Sequence, residues 1–80
     1  MPEYVVFVGA MKEKFDHSPV SAGDMLKAAG AVPEAEYILE ALTDKGGNVE
    51  KEYQSTDSVD LGPPHKEKYF RAVPKGGGRA

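Results

Sequence analysis

The run with the clearest chemical potential in this chain is Gly76-Gly77-Gly78, followed only by Arg79-Ala80. A phosphate-cradling loop would need a helix after its glycines, whose N-terminus carries the partial positive charge. Two residues cannot supply one. Two readings of the tail remain. In one it is a frayed end. In the other it is a reactive terminus awaiting cleavage. A cut after a glycine leaves a carboxylate on a thin arm without side chains, able to thread a narrow active site in extended form. Such a carboxylate can be adenylated by ATP, passed to a thiol as a thioester and then to a lysine amine as an amide, each covalent step easier than the whole.

The other residue types point away from catalysis. The only imidazoles, His17 and His65, stand in no metal-ligand spacing; His17 is expected on a strand edge and His65 in a loop after two prolines. Serines and threonines fall at expected caps and turns, where backbone hydrogen bonds explain them. The carboxylates are expected to be scattered over solvent-facing positions. Without cysteine there is no thiol nucleophile, no disulfide and no cysteine-bound zinc. Eighty residues bound the chain to one domain with a thin core, and little room is expected for a pocket of about 300 Å³ or more. The charge of −3 offers no footprint for nucleic acid. No apolar run approaches the ~20 residues of a membrane span, and no signal peptide is evident in Met1-Pro2-Glu3. The expected compartment is the cytoplasm, with no cofactor of the chain's own.

The elements that must present the tail can be placed from pattern. Tyr4-Val5-Val6-Phe7-Val8 is β-branched and aromatic, the strongest strand signal. Gly9-Ala10-Met11-Lys12 reads as a turn, with a weaker return strand over 13–17. Ser18-Pro19-Val20 reads as a break. Ser21 with Asp24 is a near capping box. Ala22, Met25, Leu26 and Ala29 then form one apolar stripe of a helix of about nine residues. Gly30 suits the left-handed position after the helix, and Pro33 prevents continuation. Residues 36–43 alternate as a strand, 44–48 form a hairpin loop, and Val49 to Tyr53 is a short charged strand. Residues 56–61 suggest a tight turn whose Val59 and Leu61 plug the core. Lys68 to Val73 is the last strand, ended by Pro74. Alternation predicts Phe70 in the core and Tyr69 outside.

The order is therefore strand, strand, helix, strand, strand, strand. One helix across one face of a mixed sheet of four to five strands, with the first and last strands parallel at its centre, is the economical α+β solution. That is the β-grasp layout, expected over residues 1–74 with a C-terminal tail over 75–80.

At this level the chain resembles a ubiquitin-like modifier. The element order, the short capped helix, the turn from Ser55 to Leu61 and the terminal glycines are similar to ubiquitin. The nearer likeness is to the prokaryotic multiubiquitin-type domains of bacterial ubiquitination-like operons. It is carried by Tyr4-Val5-Val6-Phe7-Val8, Ser21-Ala22-Gly23-Asp24-Met25-Leu26, Ala29-Gly30-Ala31-Val32-Pro33, Asp57-Ser58-Val59-Asp60-Leu61 and Phe70-Arg71-Ala72-Val73-Pro74 in that order and spacing. The resemblance implies a precursor trimmed by a JAB-type zinc metallopeptidase, adenylated by an activating enzyme, passed to a conjugating enzyme and attached to target-protein lysines, in some bacteria for antiphage defence. It implies a conjugation end among Gly76, Gly77 and Gly78, a cut after Gly77 or Gly78 with Gly78-Arg79 the favoured processing site because only Arg79-Ala80 is then lost, and a partner-binding surface at Lys68, Tyr69 and Arg71. Two departures stand out: there are three glycines where ubiquitin has two, and Pro74-Lys75 precedes them in place of a basic run. A sulfur carrier with a C-terminal thiocarboxylate shares the fold and the glycine end, although such carriers usually stop at the glycines. A non-covalent ubiquitin-like interaction module is the third reading.

Overall fold

The computed structural model describes residues 3–44, 47–64 and 66–75. Strand β1 (Tyr4–Val8) turns back on strand β2 (Met11–Phe15). Val8 pairs with Met11, so the hairpin loop is Gly9-Ala10 alone. Gly9 takes φ of 63°, a conformation that two-residue hairpin loops reserve for glycine. The return strand therefore starts two residues earlier than the expected 13–17. The tighter loop brings Met11 and Lys12 into the ladder and leaves Asp16 and His17 in a bend. His17 Nδ1 there meets Asp16 Oδ1 at 2.8 Å, off the strand edge.

Val20 is no break. Val20–Ser21 is a short strand, β3, paired antiparallel with Ser58–Val59, β6. Helix α1 (Ala22–Ala28) follows, seven residues long. Its cap is the expected one: the Ser21 hydroxyl accepts from the Asp24 N–H at 3.0 Å. Two more first-turn N–H groups are satisfied from the 54–57 turn, Ala22 donating to the Asp57 carbonyl at 2.8 Å and Gly23 to that of Ser55 at 2.9 Å. Gly30 ends the helix at φ 85°, as its place in the sequence predicts. A 3-10 turn at Glu34–Glu36 leads into β4 (Tyr37–Leu42), and β5 (Val49–Tyr53) returns beside it. The last strand, β7, is Lys68–Pro74.

The main sheet has the order β2-β1-β7-β4-β5, and β3-β6 forms a separate two-stranded ribbon. β1 and β7 run parallel at the centre, and the other pairs are antiparallel. This is an α+β fold with one helix across a five-stranded mixed sheet, the β-grasp, ubiquitin-like topology. The core lies between helix and sheet. Val6, Met25, Leu26, Leu39 and Val59 are wholly buried, and Leu61 and Phe70 nearly so. Val59 and Leu61 plug the core as expected, and Leu61 is held there by its N–H donating to the Ser18 hydroxyl at 2.9 Å.

Among the described residues one buried position breaks the apolar pattern. Val6 pairs with Glu13, which places this carboxylate on the inner face. It is only 8% exposed, and neither of its oxygens has a hydrogen-bond partner among the described residues. The expectation that every carboxylate faces solvent fails here, because Glu13 shares the face of Phe15, two residues on, and that face is the inner one.

Candidate functional site

Among the described residues no helix covers the outer face of the sheet, and strand alternation decides what it shows. Since Val6, Val8, Leu39, Ala41 and Phe70 point inward, their neighbours point outward. The registers align these neighbours in rows. Phe7 lies opposite Tyr69, and Tyr69 opposite Leu42. Arg71 lies opposite Glu40, Glu40 opposite Glu52, and Val73 opposite Ile38.

The Phe7 and Tyr69 rings stack, with centroids 5.4 Å apart and an interplanar angle of 16°. Their separation is in the range where offset aromatic pairs attract beyond simple area burial. The Tyr69 hydroxyl donates to Glu67 Oε1 at 3.2 Å. That bond, with lesser help from desolvation and from the Glu67 and Asp44 charges, raises the phenol above its ordinary pKa. Leu42 and Val73 are half-buried on this face. Arg71 closes the aromatic row with a forked contact to one oxygen of Glu40, at 2.9 Å from Nε and 2.7 Å from a terminal nitrogen. The surface is an apolar and aromatic row bordered by a fixed charge, an arrangement suited to binding another protein.

Of the three residues expected on such a surface, Tyr69 and Arg71 are together on it. Lys68 is on the other face: it pairs with Val6, and its Cε would lie 2.9 Å from a Cβ built on Gly62. Phe7, Leu42 and Val73 were not predicted for this surface. The signal for Phe7 and Val73 was available, because odd positions of β1 and β7 share a face once Val6 and Phe70 are assigned inward; Leu42 joins them only through the β4–β7 register. The conjugation and processing positions Gly76, Gly77, Gly78 and Arg79 lie outside the described residues. What is described is the point of departure. Pro74 pairs with Tyr37, and the Lys75 N–H donates to the Glu36 carbonyl at 2.8 Å. The tail is thus reached directly from the central strand that bears Tyr69 and Arg71.

An open groove of about 530 Å³ runs between the β4–β5 hairpin and the loop before β7, larger than the chain's size suggested. Ala41 and Phe70 contribute apolar surface, whereas Lys51, Asp60, Glu67 and Lys68 set both signs of charge around it. Among the described residues no three His, Cys, Asp or Glu side chains are grouped to hold a metal ion. No helix among them is long and apolar enough to cross a membrane.

Comparison with known proteins gives no match to a protein family, to a curated protein or to a solved structure. The likeness therefore rests on architecture: a small β-grasp fold, consistent with the ubiquitin-like superfamily, with an aromatic and charged outer sheet face.

Proposed function

We propose that this chain is a ubiquitin-like protein precursor of the bacterial type, trimmed at its C-terminus and joined through its terminal glycine to target lysines. The observation that carries this reading is the path of β7. One strand bears Tyr69 and Arg71 on the open face, is tied down at Lys75 by Glu36, and continues into Gly76-Gly77-Gly78. A recognition surface and a narrow acyl arm thus lie on one continuous stretch of chain. Enzymes that must hold the protein while its terminus enters an active site need that combination.

In this reading a JAB-type metallopeptidase hydrolyses the peptide bond after Gly78, releasing Arg79-Ala80. The new carboxylate attacks the α-phosphorus of ATP, forming an acyl adenylate and releasing pyrophosphate. A cysteine thiolate of the activating or conjugating enzyme displaces AMP to give a thioester. A lysine amine of the target then displaces the thiolate and forms the amide. The catalytic groups belong to the partners, and the reactions run in the cytoplasm, with antiphage defence a fitting setting. Phe7, Tyr69, Leu42 and Arg71 are the residues that the partners grip.

Incubation of trimmed protein with its activating enzyme, ATP and lysine-bearing protein, read by intact mass spectrometry, tests the reading. A lysine-linked adduct supports it. A gain of about 16 Da on the free protein, sulfur replacing oxygen at the activated acyl group, would assign it instead to the sulfur carriers. An unchanged mass with active enzyme would leave the non-covalent interaction module.

A further inference from the structure

The two edges of the sheet carry opposite charge patterns. β2, at one edge, reads Met11-Lys12-Glu13-Lys14-Phe15. β5, at the other, reads Val49-Glu50-Lys51-Glu52-Tyr53. We propose that this chain associates head to tail with a second copy of itself, the β5 edge of one copy pairing antiparallel with the β2 edge of the next.

Strand directions and faces both agree with this pairing. With β1 and β7 parallel and every other neighbouring pair antiparallel, β2 and β5 run in opposite senses. A second copy in the same orientation therefore meets the first as an antiparallel neighbour. Setting Lys51 opposite Glu13 of the second copy fixes the rest of the register. Glu50 then meets Lys14, Glu52 meets Lys12 and Tyr53 meets Met11. The faces match from Lys51 to Tyr53. Lys51 and Tyr53 share the inner face with Ala41 and Leu39, as Glu13 and Met11 do with Val6 and Val8. Glu52 is on the outer face with Glu40, as Lys12 and Lys14 are with Phe7 and Val5. The irregularity between Ala41 and Leu42 leaves Glu50 without a partner on β4, so the regular run is Lys51 to Tyr53 and Glu50 lies at its end.

Three independent features favour a second copy as the occupant. Opposite charges directly across an antiparallel pair attract, and like charges repel. Pairing β2 with β2 about Glu13 would set Glu13 against Glu13 and Lys12 against Lys14. Pairing β5 with β5 about Lys51 would set Lys51 against Lys51 and Glu50 against Glu52. The symmetric alternatives are thus disfavoured and the head-to-tail one is not. Next, Glu13 is buried with both oxygens unpartnered among the described residues. Opposite Cβ atoms in such a pair lie about 4.5–5.5 Å apart, within the reach of a lysine amine. Lys51, whose Nζ rests 5.1 Å from the Tyr53 ring centroid on the same face, supplies the missing cation. Last, Met11 is 51% exposed, and Tyr53 would cover it. Lysines on an edge are also a common guard against unwanted pairing. That role explains neither the opposite phase of the two edges nor the buried acid.

A head-to-tail contact closes into a ring or grows as an open filament. One strand pair buries far less than the ~1,200 Å² of a stable complex, so the association is weak and rises with concentration. It does not depend on conjugation, and an unconjugated chain would show it equally.

The test is sedimentation velocity of the full chain from about 20 μM to about 1 mM at low salt. The weight-average mass is expected to rise with concentration and to fall when salt screens the pairs. Two variants at exposed positions separate the account from general stickiness. Lys12→Glu/Lys14→Glu makes β2 wholly acidic, and Glu50→Lys/Glu52→Lys makes β5 wholly basic. Each alone should associate at least tenfold more weakly than the parent, while circular dichroism confirms an unchanged fold. An equimolar mixture of the two should associate again, because each altered edge meets its complement. A parent chain monomeric at the highest concentration would overturn the proposal. So would variants that associate like the parent, or a mixture no better than its components.

Discussion

Arg71 holds Glu40 through two of its nitrogens, while Glu52 stands directly opposite Glu40 on the same face with no such partner. Glu40 keeps only 13% of its side chain exposed, against 54% for Arg71. The arginine therefore screens two carboxylates that would otherwise face each other across the strands. Arg71→Ala is expected to cost about 1 kcal/mol in urea unfolding, more than an exposed pair usually contributes. Adding Glu52→Gln to that variant should recover part of the loss, which a double-mutant cycle would read.

The stacked Phe7 and Tyr69 rings predict a separation of stability from recognition. Phe7→Ala removes half-buried aromatic area and one side of the stack, for an expected loss of about 1–2 kcal/mol. Tyr69→Phe keeps the ring and removes only the hydroxyl that donates to Glu67, so unfolding should scarcely change. In the proposed function both variants should bind the activating enzyme less well, and titration calorimetry would show it. Equal binding by Phe7→Ala and the parent would remove this face from the recognition surface.

Gly23 is predicted to reverse a helix preference. Alanine ordinarily stabilises a helical position relative to glycine by about 1 kcal/mol. Here a Cβ would lie 2.9 Å from the backbone oxygen of Ser55 and 3.3 Å from the Glu34 side chain. That carbonyl also accepts the Gly23 N–H, so it cannot move freely. Gly23→Ala should therefore destabilise by about 1–3 kcal/mol in chemical denaturation.

Glu13 makes stability depend on pH. Burial raises its pKa from 4.5 to about 7. Between those values the folded state binds a proton that the unfolded state does not. Stability is therefore highest below the unfolded value, falls as pH rises towards 7, and stays lowered above it. Its inward neighbours on β1 and β2 are Tyr4, Val6, Val8, Met11 and Phe15, while Lys12 and Lys14 point to the other face. Glu13→Leu should raise stability by about 1–2 kcal/mol at pH 8 and by much less at pH 5, measured by thermal unfolding of dilute protein. An equal gain at both pH values would show that the carboxylate is not the source.

Much of the fold was legible because period and punctuation agreed. Val6, Val8 and Phe70 alternate with outward residues, Ser21 caps α1, and Gly30 takes the positive φ that its position required. The parts that escaped depend on distant partners. Val20 looked like a break because its ladder partner, Val59, is far along the chain. The shift of β2 hinged on one glycine conformation, and Glu13 is inward because it alternates in step with Phe15. Lys68 was grouped with Tyr69 and Arg71 by sequence nearness, although alternation puts it on the face of Val6. The outer row joins Phe7, Tyr69 and Leu42 from three strands, so no single segment displays it.

The central claim, attachment through the glycine end, can be read in one digest. Lys75 directly precedes Gly76-Gly77-Gly78, so trypsin would cut there and leave the glycines on any modified lysine. Peptide mass spectrometry of the reconstituted reaction should find target lysines carrying a triglycine remnant, the mark of cleavage after Gly78. Complete consumption of the trimmed protein's adenylate without any glycine-modified lysine would contradict the account.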